Sequence, residues 1–140
     1  MELKRILGVD FGDARTGLAL SDPTGFLASG IGCIKSTSFL KTADEVVRIA
    51  KEKGATLIVL GHPINMNGTL GPRSEKAQAF KKHLEELCQI PVVLFDERLS
   101  TANAHTMLNI TNTKGQKRKN IIDEMSACLI LQSYLDSHKN

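Results

Sequence analysis

The sequence predicts an α/β fold: a mixed five-stranded sheet, in which an antiparallel meander is followed by parallel strands, with helices on both faces. Three observations point there. At the start, ILGVDFG and RTGLALSD are apolar, Gly-punctuated segments separated by a short turn from Gly12 to Ala14, the pattern of a hairpin. Further on, TLIVLG and PVVLF are continuous apolar runs, as in strands covered on both faces. Each of those runs follows a segment with apolar residues at helical spacing, so the second half reads as right-handed βαβ crossovers.

Taken in order, a third strand near Ser29 to Ile34 continues the meander. Ser38 can cap a helix to about Lys53, in which Leu40, Ala43, Val47 and Ala50 recur on one side and Gly54 supplies the stop. After TLIVLG the segment HPINMNGTLG is polar, with two glycines and a proline, and reads as a loop. Pro72 suits the first turn of a second helix, where its missing N–H costs nothing; Ala77, Phe80, Leu84 and Leu87 form its stripe, and it ends near Gln89. PVVLF follows, then a short helix capped by Ser100 or Thr101 and running to about Leu108. The run TNTKGQKRKN, Thr111 to Asn120, carries four basic residues and no acid and is expected to be a flexible loop. Ile122, Met125, Leu129 and Gln132 to Leu135 describe a last amphipathic helix. This is the element order of the ribonuclease H-like fold.

Composition narrows the function classes. With 140 residues, 41% hydrophobic and 24% charged, residues 1–140 are expected to form one domain. Eighteen Lys and Arg against fifteen Asp and Glu give a net charge of +3, which permits a nucleic-acid partner without demanding one. No apolar run approaches the roughly 18 residues that span a bilayer, and MELKRILGVD is not a signal-peptide start, so no membrane partner is expected. Cys33, Cys88 and Cys128 are odd in number and form no C-x-x-C pair, the usage of a reduced compartment; a cytoplasmic protein without structural zinc follows. His62, His83, His105 and His138 show no ligand spacing and are assigned to surface or loop positions. With 4% aromatics and no Trp, a stacking platform for single strands is not expected, and binding should rest on shape and phosphates.

The carboxylates carry the chemistry. Asp10 ends the first strand in GVDFG, where an ionised group beside an apolar run needs a partner, and Gly8 and Gly12 leave room next to it. Asp96 and Glu97 stand where PVVLF ends, and Asp123 opens the final helix. In open α/β sheets the carboxyl ends of parallel strands form the ligand crevice. With the first strand central, Asp10, one of Asp96 and Glu97, and Asp123 share that crevice. Singly, each acid is a turn or cap residue; together they make a hard-metal site, with all-oxygen ligands suited to Mg²⁺ or Mn²⁺. Paired ions of that kind hydrolyse phosphodiesters. Glu97 is favoured over Asp96 because the fifth strand lies about 9.5 Å from the first and the longer side chain spans that gap, leaving Asp96 for Arg98 or a capping role.

Candidate phosphate contacts surround these acids. Asn65 and Asn67 lie in the loop that ends at Gly71, and Arg73 lies in the first turn of the following helix, where free N–H groups can receive an anion; a plain helix entry is the equal alternative. Arg15 and Arg98 can meet phosphate or simply pair with a carboxylate. Lys114, Lys117, Arg118 and Lys119 precede Asp123 and are expected on the rim of the crevice, where they would meet a phosphate backbone.

As a set, GVDFGDARTGLALSD, LGHPINMNGTLGPR, FDERLSTANA and IDEMSACLILQSYLD resemble the YqgF/RuvX family, in family order and over nearly the whole chain. That family has a ribonuclease H-like fold and is described both as a Holliday junction resolvase and as a nuclease processing the 5′ end of pre-16S ribosomal RNA. The resemblance implies that Asp10, an acid of the Asp96-Glu97-Arg98 motif, and Asp123 are metal-binding catalytic positions, and that Asn65 to Gly68 is a substrate-side loop. Two departures are small: His62 stands where a larger apolar residue is common, and Ser126 precedes Ala127 where two alanines are usual.

The expected function is a divalent-metal endonuclease acting on pre-rRNA, as a monomer or weak homodimer. Branched DNA is the alternative substrate, but resolving a junction needs two opposed active sites and hence a suitable dimer. A non-catalytic RNA-binding module is disfavoured because bare carboxylates repel a phosphate backbone. An actin-like ATPase would share G-x-D-x-G, yet such enzymes close two domains over nucleotide and this chain supplies one.

Overall fold

A computed structural model describes residues 4–99 and 115–138, with side chains through 98 and from 122 onward. Strand β1 (Arg5–Asp10) pairs antiparallel with β2 (Arg15–Ser21), and β2 pairs antiparallel with β3 (Ala28–Lys35). Helix α1 (Phe39–Glu52) leads to β4 (Ala55–His62), which runs parallel to β1; α2 (Pro72–Leu87) leads to β5 (Val92–Asp96), parallel to β4. A 3₁₀ turn covers Glu97–Leu99, and α3 (Gly115–Ser137) closes the described chain. The sheet order is β3-β2-β1-β4-β5, so the mixed sheet and its central first strand are as expected.

Alternation along the strands builds two cores. Leu7 and Val9 of β1, Leu18 and Leu20 of β2, and Ile58 and Leu60 of β4 face Ala43, Val46 and Ala50 of α1 and Phe80 and Leu84 of α2. The intervening positions, Ala19 and Val59 among them, face Ala127, Ile130, Leu131 and Leu135 of α3. Each buried large apolar side chain contributes about 1.5–3 kcal/mol, so the central strands are fixed from both sides.

The caps behave as read. Ser38 accepts from the Lys41 N–H at 3.2 Å, and Gly54 takes φ +73° after α1. Pro72 occupies the first turn of α2 behind Gly71.

Several expectations need correction. Leu40 is 60% exposed and Leu87 is also exposed, because the stripes of α1 and α2 are carried by Thr42, Ala43, Val46, Val47 and Ala50, and by Ser74, Ala77, Phe80 and Leu84. β5 is an edge strand whose only fully buried residue is Val92, rather than a strand buried on both faces. Among the described side chains of α3 the buried ones are Ser126, Ala127, Ile130, Leu131 and Leu135, so Ile122, Met125 and Leu129 flank the stripe instead of forming it. The basic run is not all loop: residues 115–120 are helical, since Lys, Arg and Gln propagate a helix well and their charge does not interrupt it. Asp123 therefore sits in the third turn of α3, not at its opening. The helix expected between Ser100 or Thr101 and Leu108, with His105 and Lys114, lies outside the described residues.

Candidate active site

Asp10 is placed by what surrounds its backbone. Val9 before it points into the α1–α2 core, and Phe11 after it stacks on Phe80 at 4.1 Å and meets Phe39 edge-on at 5.9 Å. Aromatic pairs of this kind contribute about 0.5–1.5 kcal/mol each beyond burial. With its neighbours held on one face, Asp10 is turned to the other, toward α3. Across the turn the Gly12 N–H reaches the buried Thr16 hydroxyl at 3.4 Å, and Asp13 pairs with Lys76 of α2 at 2.9 Å.

Two glycines then open the space. Gly17 is the ladder partner of Asp10 on β2, and a Cβ there would stand 1.9 Å from the Asp123 carbonyl oxygen, so only glycine lets α3 descend onto the sheet at this point. On the other side, one step beyond the Val9–Leu60 pair, Gly61 lies between Asp10 and β5; a Cβ there would stand 2.5 Å from Oε1 of Glu97. Without side chains between them, the carboxyl groups of Asp10 and Glu97 meet over β4 in a hydrogen bond.

The two consecutive acids at the end of β5 separate by face. Glu97 lies over Gly61 beside Asp10. Asp96 pairs with His62 in the ladder and is gripped by Arg98: its Oδ1 accepts from the Arg98 backbone N–H at 2.9 Å, and its Oδ2 accepts from the guanidinium at 2.7 Å. The hydrogen bonds from Arg98 hold the Asp96 carboxyl below the usual range. Of the two positions the sequence left for Asp96, toward Arg98 or as a cap, the structure shows the contact with Arg98, through both its backbone N–H and its guanidinium.

Asp10 is displaced in the opposite direction. Although the residue keeps some surface, its carboxyl group is deeply set, and burial pushes its pKa well above the ordinary value. The hydrogen bond with Glu97 and the charges of Glu97 and Asp123 add to that shift, while Arg73 opposes it. A hydrogen bond between two carboxyl groups needs a proton on one of them. Asp123 stands near enough to be felt electrostatically but accepts from Arg15 Nε at 2.8 Å. Arg15 is thus a carboxylate partner here, and no three His, Cys, Asp or Glu side chains among the described residues are spaced to enclose a metal ion together.

The donor chemistry nevertheless fits a hard divalent cation. The pair that meets is all oxygen, and glycine on each flank of Asp10 lets Glu97 on one side and the backbone of Asp123 on the other come close to it. Arg15 holds the third carboxylate at the edge of the same volume.

The remaining candidates sort as follows. Arg73 is exposed, is in no ion pair among the described residues, and acts on Asp10 through space. Asn65 and Asn67 are spent on their own turn: Asn67 Oδ1 accepts from the Thr69 N–H at 3.1 Å and hydroxyl at 2.6 Å, and Asn65 Nδ2 donates to that hydroxyl at 3.0 Å. Lys117, Arg118 and Lys119 lie in the first turns of α3, with side chains outside the described residues, and Lys114 lies wholly outside them.

His62 is a correction. It is not a surface or loop residue but the last of β4, with Nε2 at 2.6 Å from the hydroxyl of fully buried Ser74 at the start of α2. That contact ties the end of β4 to the helix turn bearing Arg73. His83 likewise packs against Phe39, with ring centroids 5.5 Å apart. Neither shows a spacing pattern; for His62 the one available signal was its position directly after an apolar strand.

Comparison with known proteins agrees with this architecture. The family model described as RuvX, Holliday junction resolvase, matches residues 4–137. A protein of Ruminiclostridium cellulolyticum named "Putative pre-16S rRNA nuclease" is 50% identical over 135 residues, covering 94% of each chain. A Bacillus subtilis (strain 168) protein of the same name is 48% identical over 138 residues, covering 95% of this chain and 98% of its own. Among solved structures, T. thermophilus RuvC in complex with Holliday junction substrate superposes with a TM-score of 0.59 at 12% identity, covering 96% of this chain and 95% of that one. The fowlpox virus resolvase complexed with junction DNA gives 0.57 at 18% identity, covering 97% and 99%. At such identities the structural matches establish the ribonuclease H-like fold and nothing finer.

Proposed function

The chain belongs to the RuvX, Holliday junction resolvase family, and on that premise we propose that it is a divalent-metal-dependent endonuclease processing the 5′ end of pre-16S rRNA. The observation that carries the reading is the meeting of Asp10 and Glu97 at the carboxyl end of the sheet, with Asp123 alongside. The relatives' shared name supplies the choice of RNA over branched DNA.

In this reading Asp10 and Glu97 are the principal metal ligands, Mg²⁺ or Mn²⁺ being the ions that suit them, and Asp123 is the third. An ion held there would supply an activated water and neutralise charge on the leaving oxygen. The protein's own residues do the rest. Asp10 and Glu97 would hold the ion as carboxylates, the proton that Asp10 retains in its absence passing to solvent. Arg15 orients Asp123 and offsets its charge, which lowers the repulsion a phosphate meets on approach. Arg73 attracts the polyanion toward Asp10, and its position depends on the His62–Ser74 contact.

Mapping of ribosomal RNA precursor ends after incubation with the purified protein tests this. Cleavage is expected at the 5′ side of the 16S sequence, dependent on Mg²⁺ or Mn²⁺, and absent for Asp10→Asn although that variant folds and binds RNA. Equal cleavage by Asp10→Asn would remove the mechanism, and cleavage confined to four-way DNA junctions would transfer the activity to the resolvase alternative.

A further inference from the structure

The deep setting of Asp10 imposes a demand on any substrate. Asp10 and Glu97 each keep only part of their surface, so a phosphodiester in a regularly stacked, paired strand meets their carboxyl groups better when the backbone is bent toward them. The turn after β4 offers a device for bending. Met66 at its tip is 85% exposed, more than any other exposed large hydrophobic side chain described.

This exposure is held in place. The Gly68 N–H donates to the Asn65 carbonyl at 2.8 Å, the Asn65 N–H donates to the Thr69 carbonyl at 3.0 Å, and Gly68 takes φ +86°, which a side chain would resist. The polar side chains of Asn65, Asn67 and Thr69 bond to one another, and of the two large apolar side chains exposed on the turn, Met66 and Leu70, Met66 is the more exposed. Its position is also fixed. A Cβ on Gly71, at the entry of α2 and two residues before Arg73, would stand 3.3 Å from Asn65 Nδ2, and one on Gly68 would stand 3.9 Å from the guanidinium of Arg98, the residue after Glu97. The turn that carries Met66 thus adjoins the entry of α2, which bears Arg73, and the side chain of Arg98, next to Glu97, so a base stack that meets Met66 has cations near for its phosphates.

From this the geometry points to Met66 as a wedge that enters the base stack of a paired RNA beside the bond to be cut, unstacking one step and bending the backbone toward Asp10. Apolar side chains, methionine included, act in this way on nucleic acids, and a polarizable sulfur contacts aromatic faces well. The inference rests on the nuclease reading, with Met66 as a positioning residue.

The test uses the full chain and a hairpin RNA carrying 2-aminopurine in its stem, whose emission rises on unstacking. Bound uncut by Asp10→Asn protein, the probe should brighten, and M66A added to that variant should abolish the rise. In the otherwise unaltered protein, M66A should slow stem cleavage by about tenfold or more, while cleavage of unpaired RNA changes by less than about twofold and M66L restores the stem. Brightening and stem cleavage unaffected by M66A would overturn the wedge, as would an equal loss on paired and unpaired RNA, the mark of a merely structural role. A protein that brightens the probe without cutting keeps the wedge and removes the nuclease; one that does neither removes both.

Discussion

Asp96 and Glu97 are adjacent, carry the same chemistry, and have opposite fates. Glu97 lies over Gly61 and meets Asp10, whereas Asp96 is saturated by Arg98 on the other side of the strand end. Glu97→Gln should therefore lower cleavage by about a hundredfold or more, because it removes a charged oxygen from the ligand set. Asp96→Asn should leave the rate within a few fold while reducing stability by about 1 kcal/mol through loss of a half-exposed cap and ion pair. Rates under single-turnover conditions beside urea unfolding of the two variants check this, and a reversed order of rates would exchange their roles. That Glu97 rather than Asp96 extends toward Asp10 was legible in the sequence, by side-chain reach across two strand spacings. The decisive factor, a glycine beneath it at position 61, was present in TLIVLG but gives no sign of purpose until β4 is known to lie between Asp10 and β5. Arg15 was legible only as an ambiguity, since a cation beside acids can serve substrate or carboxylate, and its contact with Asp123 spans 108 residues of sequence.

At the scale of elements, the site depends on how closely α3 packs against the sheet. Gly8, Gly17 and Gly30 lie beneath that helix: a Cβ on Gly8 would meet Leu131 at 2.7 Å, one on Gly30 would meet Glu124, and one on Gly17 would overlap the Asp123 backbone. The Glu124 side chain can move aside; the helix backbone cannot. Gly17→Ala should accordingly force α3 outward, lower stability by about 2 kcal/mol or more, and carry Asp123 away from Arg15. Gly30→Ala should cost less than about 1 kcal/mol, within the range of surface changes. Thermal unfolding of both variants separates them, and equal losses would mean that α3 is not held at that depth by Gly17. Strand identities and helix caps were legible because alternation, Ser38, Gly54 and Pro72 are local signals. The seating of α3 was not, because its apolar residues at 122, 125 and 129 offer a second plausible stripe. Only the glycine track on β1 and β2 selects Ala127, Ile130 and Leu131 instead.

For the molecule as a whole, the carboxylates titrate in two opposed sets, and this gives stability a pH profile. Asp10 holds its proton more tightly when folded than the ordinary value of 3.8, through burial first and then the hydrogen bond and charge of Glu97. From pH 3.8 up through the folded value the folded protein therefore binds more protons than the unfolded chain, and stability falls as pH rises, by up to about 1.4 kcal/mol per pH unit for one proton. Asp22 is shifted the other way, lowered to about 2 by the hydrogen bonds from Thr24, Leu27 and Phe26, and Asp96 and Asp13 are lowered by Arg98 and Lys76. Those groups favour the fold above 3.8 and lose that contribution as pH falls toward 2. Stability in chelator should thus peak at mildly acid pH and decline toward neutrality. Asp10→Asn should be the more stable protein at pH 7, with the neutral decline flattened. Millimolar Mg²⁺ or Mn²⁺ should raise the melting temperature of the unaltered protein at pH 7 but not of Asp10→Asn, because an ion can replace the proton only where both carboxylates remain. Urea unfolding from pH 5 to 8, in chelator and in each ion, reads all three effects. A profile identical in the two proteins would show that Asp10 keeps no proton of its own, and with that the pairing with Glu97 on which the proposed activity depends would be lost.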